Sequence, residues 1–81
     1  MKQIIFTRHA EEKLAQRNIS KKLVISTLKE SEEIISGKDN TKIAHKYIKG
    51  KLLRVIFREQ ELKYIIITCY YTEKKRYEVT K

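Results

Sequence analysis

KLLRVIFREQELKYIIITCYY, Lys51 to Tyr71, decides the fold, because it is the one long segment rich enough in β-branched and aromatic residues to form the centre of a sheet. Leu53, Val55 and Phe57 alternate with Leu52, Arg54, Ile56 and Arg58, which is the two-residue period of a strand. Glu59, Gln60 and Glu61 make a polar turn, and a second arm returns. Strict alternation puts Leu62, Tyr64, Ile66, Thr68 and Tyr70 on one face of that arm and Lys63, Ile65, Ile67, Cys69 and Tyr71 on the other. Both faces are largely apolar, so this arm is expected to be buried on both sides. The arm beside it carries Arg54 and Arg58 on one face and is expected to look toward a polar cleft or solvent there.

Upstream of this hairpin the pattern changes twice. Lys2 to Phe6 is a short apolar run suited to a first edge strand, and Thr7 supplies a side-chain oxygen to cap a helix starting near Arg8. Ala10 and Leu14, one turn apart, form its apolar seam; Asn18 is placed to end it in a left-handed conformation, with Ile19 folding back on the seam. Ser20 caps a second helix in which Leu23, Val24, Thr27 and Leu28 share a face. From Glu32 the period is that of strands. Glu32 to Gly37 reads as one strand, GKDN as a turn, and then Ile43, His45, Tyr47 and Lys49 alternate with Ala44, Lys46 and Ile48. Gly50-Lys51 reads as a tight connection into the hairpin. The run from Glu73 to Lys81 is basic and reads either as a tail or as a last strand.

The expected fold is therefore α+β: two N-terminal helices packed on a twisted antiparallel sheet of three to four strands, in a single domain spanning residues 1–81. Phe57 or Val55, Ile65, Ile67, Leu14 and Leu28 are expected to meet in its core.

Charge narrows the function. With 19 Lys and Arg against 10 Asp and Glu, the net charge is +9, an excess that favours polyanions, nucleic acid first among them. No apolar run approaches the roughly 20 residues that span a bilayer, so a cytoplasmic protein without membrane partners is expected. The single cysteine, Cys69, lies in the most apolar strand and is expected to be a buried hydrophobe. Two histidines without paired spacing, and two glycines in all, argue against a zinc site and a phosphate-cradling loop, so no cofactor is expected.

What remains are imidazole, phenol and basic side chains. These can cleave RNA without a metal, which needs a base for the ribose 2′-hydroxyl proton, cations for the charge building on phosphorus, and an acid for the leaving oxygen. His9, Lys13 and Arg17 follow one another at four-residue steps along the first helix, drifting about 40° per step, and make one basic stripe. The residues themselves offer His9, Arg17 and Arg54 as catalytic candidates, and Lys13, His45, Tyr47 and Arg58 as candidate RNA contacts.

Phe6-Thr7-Arg8-His9-Ala10, Arg17-Asn18-Ile19-Ser20, the arm Leu53 to Phe57 and the run Ile65-Ile66-Ile67-Thr68-Cys69-Tyr70-Tyr71 resemble a family of small prokaryotic domains of unknown function grouped with RelE-like toxins. That wider group shares the fold of barnase, colicin-type and RelE-type ribonucleases, and the likeness covers residues 4 to 72. Where the family usually has Gly before the Ile, this chain has Asn18, which tolerates the same left-handed conformation. The resemblance implies a RelE-like fold and His9, Arg17, Thr68 and Tyr70 as site residues, adding Tyr70 to the catalytic candidates and Thr68 to the candidate RNA contacts. Three functions are open to the sequence: a metal-independent endoribonuclease of toxin type with RNA and an acidic antitoxin protein as partners, a non-catalytic RNA-binding or regulatory module, and a basic protein-interaction domain.

Overall fold

Thr7 ends the first strand and starts the first helix with one side chain. Its Oγ1 accepts from the Ala10 backbone N–H at 3.0 Å, the bond of a helix N-cap, and its hydroxyl donates to the Ile66 carbonyl at 3.0 Å. In this computed structural model, which describes residues 2–73, the chain runs β1 (Gln3–Phe6), α1 (Arg8–Arg17), α2 (Lys21–Glu30), β2 (Glu33–Ser36), β3 (Lys42–Ile48), β4 (Lys51–Glu59) and β5 (Lys63–Glu73). The basic run after Glu73, read above as a tail or a last strand, lies outside the described residues.

Local signals set the helix ends. Asn18 takes a left-handed conformation (φ 54°), its N–H donates to the Ala15 carbonyl, and the Ile19 N–H donates to the Leu14 carbonyl at 3.0 Å. That pairing is a Schellman motif, and its hydrophobic clasp is the buried pair Ile19 and Leu14. Ser20 then caps α2 by accepting from the Leu23 N–H at 3.0 Å.

The strands form one five-stranded sheet in the order β1-β5-β4-β3-β2. β2 through β5 are an antiparallel meander, whereas β1 pairs with the first part of β5 in parallel, Gln3 opposite Lys63 through Phe6 opposite Ile66. The sheet is thus mixed and has five strands, not an antiparallel one of three to four. A four-residue edge strand such as β1 has its direction set by the path of the chain through α1 and α2, which alternation of side chains does not encode. The β3–β4 turn also differs by one residue from the expectation. Lys49 and Gly50 both have positive φ (50° and 81°), the requirement of a two-residue primed hairpin turn.

A bulge in β5 corrects the expected faces. Ile56 pairs with Thr68 but Phe57 pairs with Ile66, so Ile67 is an extra residue and the alternation reverses across it. Tyr64 and Ile66 consequently share the helix-covered face with Cys69 and Tyr71, while Lys63 and Ile65 share the opposite face with Thr68 and Tyr70. Ile66 is fully buried among Val55, Phe57 and Leu14, the place expected for Ile65 and Ile67; Leu28 packs against this core from α2.

Candidate nucleic-acid interface

Register builds the site. Glu33 on β2 is opposite His45 on β3, His45 is opposite Arg54 on β4, and Arg54 is opposite Tyr70 on β5. Partners in an antiparallel ladder point to the same side, so these four residues form a row across the sheet on the face away from the helices. His45 and Arg54 are buried, at 2% and 8% exposure. The imidazole Nδ1 lies 3.0 Å from Glu33 Oε1, and the Arg54 guanidinium carbon lies 5.6 Å from the centre of the Tyr70 ring.

Arg17 joins this row from the other layer. β1 ends opposite Ile66, so no strand among the described residues lies beside the outer edge of β5 from Ile67 onward. The Schellman turn makes Arg17 the last residue of α1 and sets it against that edge. There Arg17 Nη1 donates to the Cys69 carbonyl at 2.7 Å, and its guanidinium carbon lies 5.8 Å from the Tyr70 ring centre. Each guanidinium gains from the ring's negative face. Two positive charges at one ring also repel, and an anion held by both would reverse the sign of that interaction. Planar guanidinium forks fit phosphate oxygens well.

The structure brings together most of the residues expected at a site. His45, Tyr47, Arg54, Arg58, Thr68 and Tyr70 all face the same side, with Thr68 opposite Ile56 and next to the row, and Tyr47 opposite Leu52. Arg58 is exposed, one strand-length of about 13 Å from Arg54. Arg17 reaches the row around the edge. Lys13, half-buried on α1, donates to Gln16 at 3.4 Å. His9 is exposed on the first turn of α1, about 12 Å along the helix axis from Arg17, and is not drawn into the row. Glu33 was not among the expected residues; nothing near it in the chain marks it, and only pairing between β2 and β3 gives it a role.

Cys69 lies at the foot of this arrangement. It is fully buried, and burial pushes its thiol up to about 11, with the nearby Arg17 charge pulling weakly the other way. Among the described residues no cluster of three or more His, Cys, Asp or Glu is placed to hold a metal ion, and no helix is long and apolar enough to cross a membrane.

A sheet-face row of Glu33, His45, Arg54 and Tyr70, reached by an edge arginine, marks the candidate site of a small α+β domain. The chain belongs to the family described as a domain of unknown function (DUF4258), whose model matches residues 6–71. That span opens at Phe6, one residue before the α1 cap, and closes at Tyr71, one residue past the row. Neither a search of curated proteins nor one of solved structures returns a match.

Proposed function

We propose that the protein is a metal-independent endoribonuclease of the RelE-like toxin type, acting on RNA in the cytoplasm and held in check by an acidic antitoxin protein. The observation that carries this reading is the approach of Arg17 and Arg54 to one tyrosine ring, at 5.8 and 5.6 Å, on a chain of net charge +9. Two guanidiniums beside one ring suit a phosphodiester bound at that ring, and they suit it better as charge grows on phosphorus during attack. The resemblance of the His-Ala opening of α1, the Arg17-Asn18-Ile19-Ser20 junction and the end of β5 to RelE-like toxins supports the same reading.

In this reaction the ribose 2′-oxygen attacks phosphorus, the 5′-oxygen leaves, and the product strand ends in a 2′,3′-cyclic phosphate. Arg17 and Arg54 hold the phosphate, Tyr70 orients it, and Thr68 lines the path beside it. His45 is a positioning residue: buried, and fixed by Glu33, it packs next to Arg54 and sets where that guanidinium stands. His9 takes the 2′-hydroxyl proton and Tyr70 gives one to the leaving 5′-oxygen; because His9 stands about 12 Å along the helix axis from Arg17, this step requires it to come closer to the phosphate on RNA binding than it stands in the free protein. His9→Ala is expected to lower cleavage about 10² to 10⁴-fold without loss of RNA binding, the scale of removing a general acid or base. Products are expected to carry a 2′,3′-cyclic phosphate and to form in chelator. Chelator-sensitive cleavage, or full activity in His9→Ala, would overturn the mechanism.

One observation favours a non-catalytic RNA-binding role instead. The two histidines stand apart from an accessible phosphate, His45 by burial and His9 by its place two turns from Arg17. RNA binding without any cleavage by the wild-type protein would decide for that role.

A further inference from the structure

The Lys49-Gly50 turn and the end of β5 enclose a shallow cavity of about 250 Å³ lined by Ile48, Lys49, Lys51 and Tyr71. It continues into one of about 220 Å³ that adds Thr72 and Glu73. Alternation and register place Ile48, Lys51, Tyr71 and Glu73 on the helix-side face, with Lys51 opposite Glu73. The row at Tyr70 is on the other face. The two are nevertheless neighbours, because Tyr70 and Tyr71 are consecutive and the outer edge of β5 between the faces has no strand beside it among the described residues.

From this juxtaposition we infer that the Tyr71 cavity is a base subsite for single-stranded RNA, on the far side of the β5 edge and one nucleotide beyond those that flank the phosphate site; the inference rests on the RNA reading above. The Tyr71 ring is half-buried, packed against the core on one side, which fixes it as a platform. Lys49 and Lys51 are exposed at its rim. An aromatic face flanked by cations is the arrangement that takes any base by stacking while lysines follow the backbone. Arg17, already at the β5 edge through its bond to the Cys69 carbonyl, stands where a strand would pass from one face to the other. Glu73 opposes the anion and sets a limit on affinity. RNA longer than the single phosphodiester held at Arg17 and Arg54 therefore gains contacts, and a dinucleotide does not.

Binding of the dinucleotide UpU and of an oligouridine of about eight nucleotides, measured by calorimetry on the full chain, tests the subsite. Tyr71→Leu, which keeps apolar packing, is expected to weaken the longer RNA roughly tenfold and leave UpU unchanged, as fits the loss of one stacked base. Tyr71→Phe is expected to restore the loss. Lys49→Asn removes a charge at a left-handed position that Asn tolerates well, so folding is preserved; it is expected to weaken the longer RNA and flatten its salt dependence by about 0.7 in log–log slope. Glu73→Gln is expected to tighten it. If Tyr71→Leu and Lys49→Asn both bind the longer RNA like wild type, there is no subsite, although the RNA reading stands. If wild-type protein retains neither RNA at low salt, the RNA reading fails and the subsite with it.

Discussion

Arg54 on β4 stands directly opposite Tyr70 on β5, and its guanidinium, almost wholly buried, lies 5.6 Å from the ring centre. A long cation held this way has little freedom left to lose on binding an anion, so the proposed RNA contact predicts a contribution specific to a planar fork at this position. Arg54→Gln is expected to reduce RNA affinity more than tenfold and to flatten the salt dependence by about 0.7 for a single strand. Arg58→Gln, at an exposed position four residues further along β4, is expected to flatten the salt dependence equally with a smaller affinity loss. Filter binding across a salt series reads both; equal losses from the two changes would show that the row has no special role.

The bulge at Ile67 makes a prediction for stability that strict alternation would invert. Ile66→Ala empties a fully buried site and is expected to cost about 2–5 kcal/mol, whereas Ile65→Ala on the opposite, half-buried face is expected to cost clearly less. Urea unfolding of the two variants distinguishes them, and a larger loss at Ile65 would place the bulge elsewhere.

Glu59 is expected to contribute to stability in a way that acid removes. Hydrogen bonds from Lys2 and Lys42, each 2.7 Å from a different carboxylate oxygen, hold its carboxyl down at about 2. Since its folded value lies below its unfolded one, the stabilisation is complete above the unfolded carboxylate range near 4.3 and is lost as pH falls through about 2. Glu59→Gln is expected to be less stable than wild type at pH 6, with the gap closing between about pH 4 and 2. Thermal melts at several pH values in that window check it, and a gap that persists at the acid end would rule out this origin.

Cys69 should behave as a hydrophobe. With its thiol raised to about 11 and no exposure, almost none is thiolate at pH 8, so a disulfide-exchange reagent is expected to react slowly with native protein and at once after denaturation. Rapid native reaction would mean that the β5 edge under Arg17 opens readily.

How much of this was legible in the chain depended on distance along it. Thr7, Asn18 and Ser20 each act on residues within five positions, and the sequence placed all three caps where the structure has them. The hairpin Lys51 to Tyr71 was likewise visible in its composition. The parallel β1–β5 pair, the bulge at Ile67 and the Glu33–His45 contact were not, because each depends on which strands lie side by side. Arg17 and Tyr70 were singled out by chemistry and by family resemblance. Their meeting required β1 to stop at Phe6 and, among the described residues, leave the later edge of β5 without a strand beside it, a length effect that no motif encodes.

The parallel strand also imposes an order of events. β1 is the first strand to be synthesised, yet its partner residues lie some sixty positions later in the chain. Closing so long a loop is entropically slow, and the hairpins from β2 to β5 need no such wait. During synthesis α1 therefore lacks its main packing partner until β5 has emerged, and Arg17 meets Tyr70 only when nearly the whole domain is out of the ribosome. A nascent or truncated chain lacking β5 carries the basic helix but not the ring, so the meeting of Arg17 with Tyr70 comes into being as one of the final acts of folding.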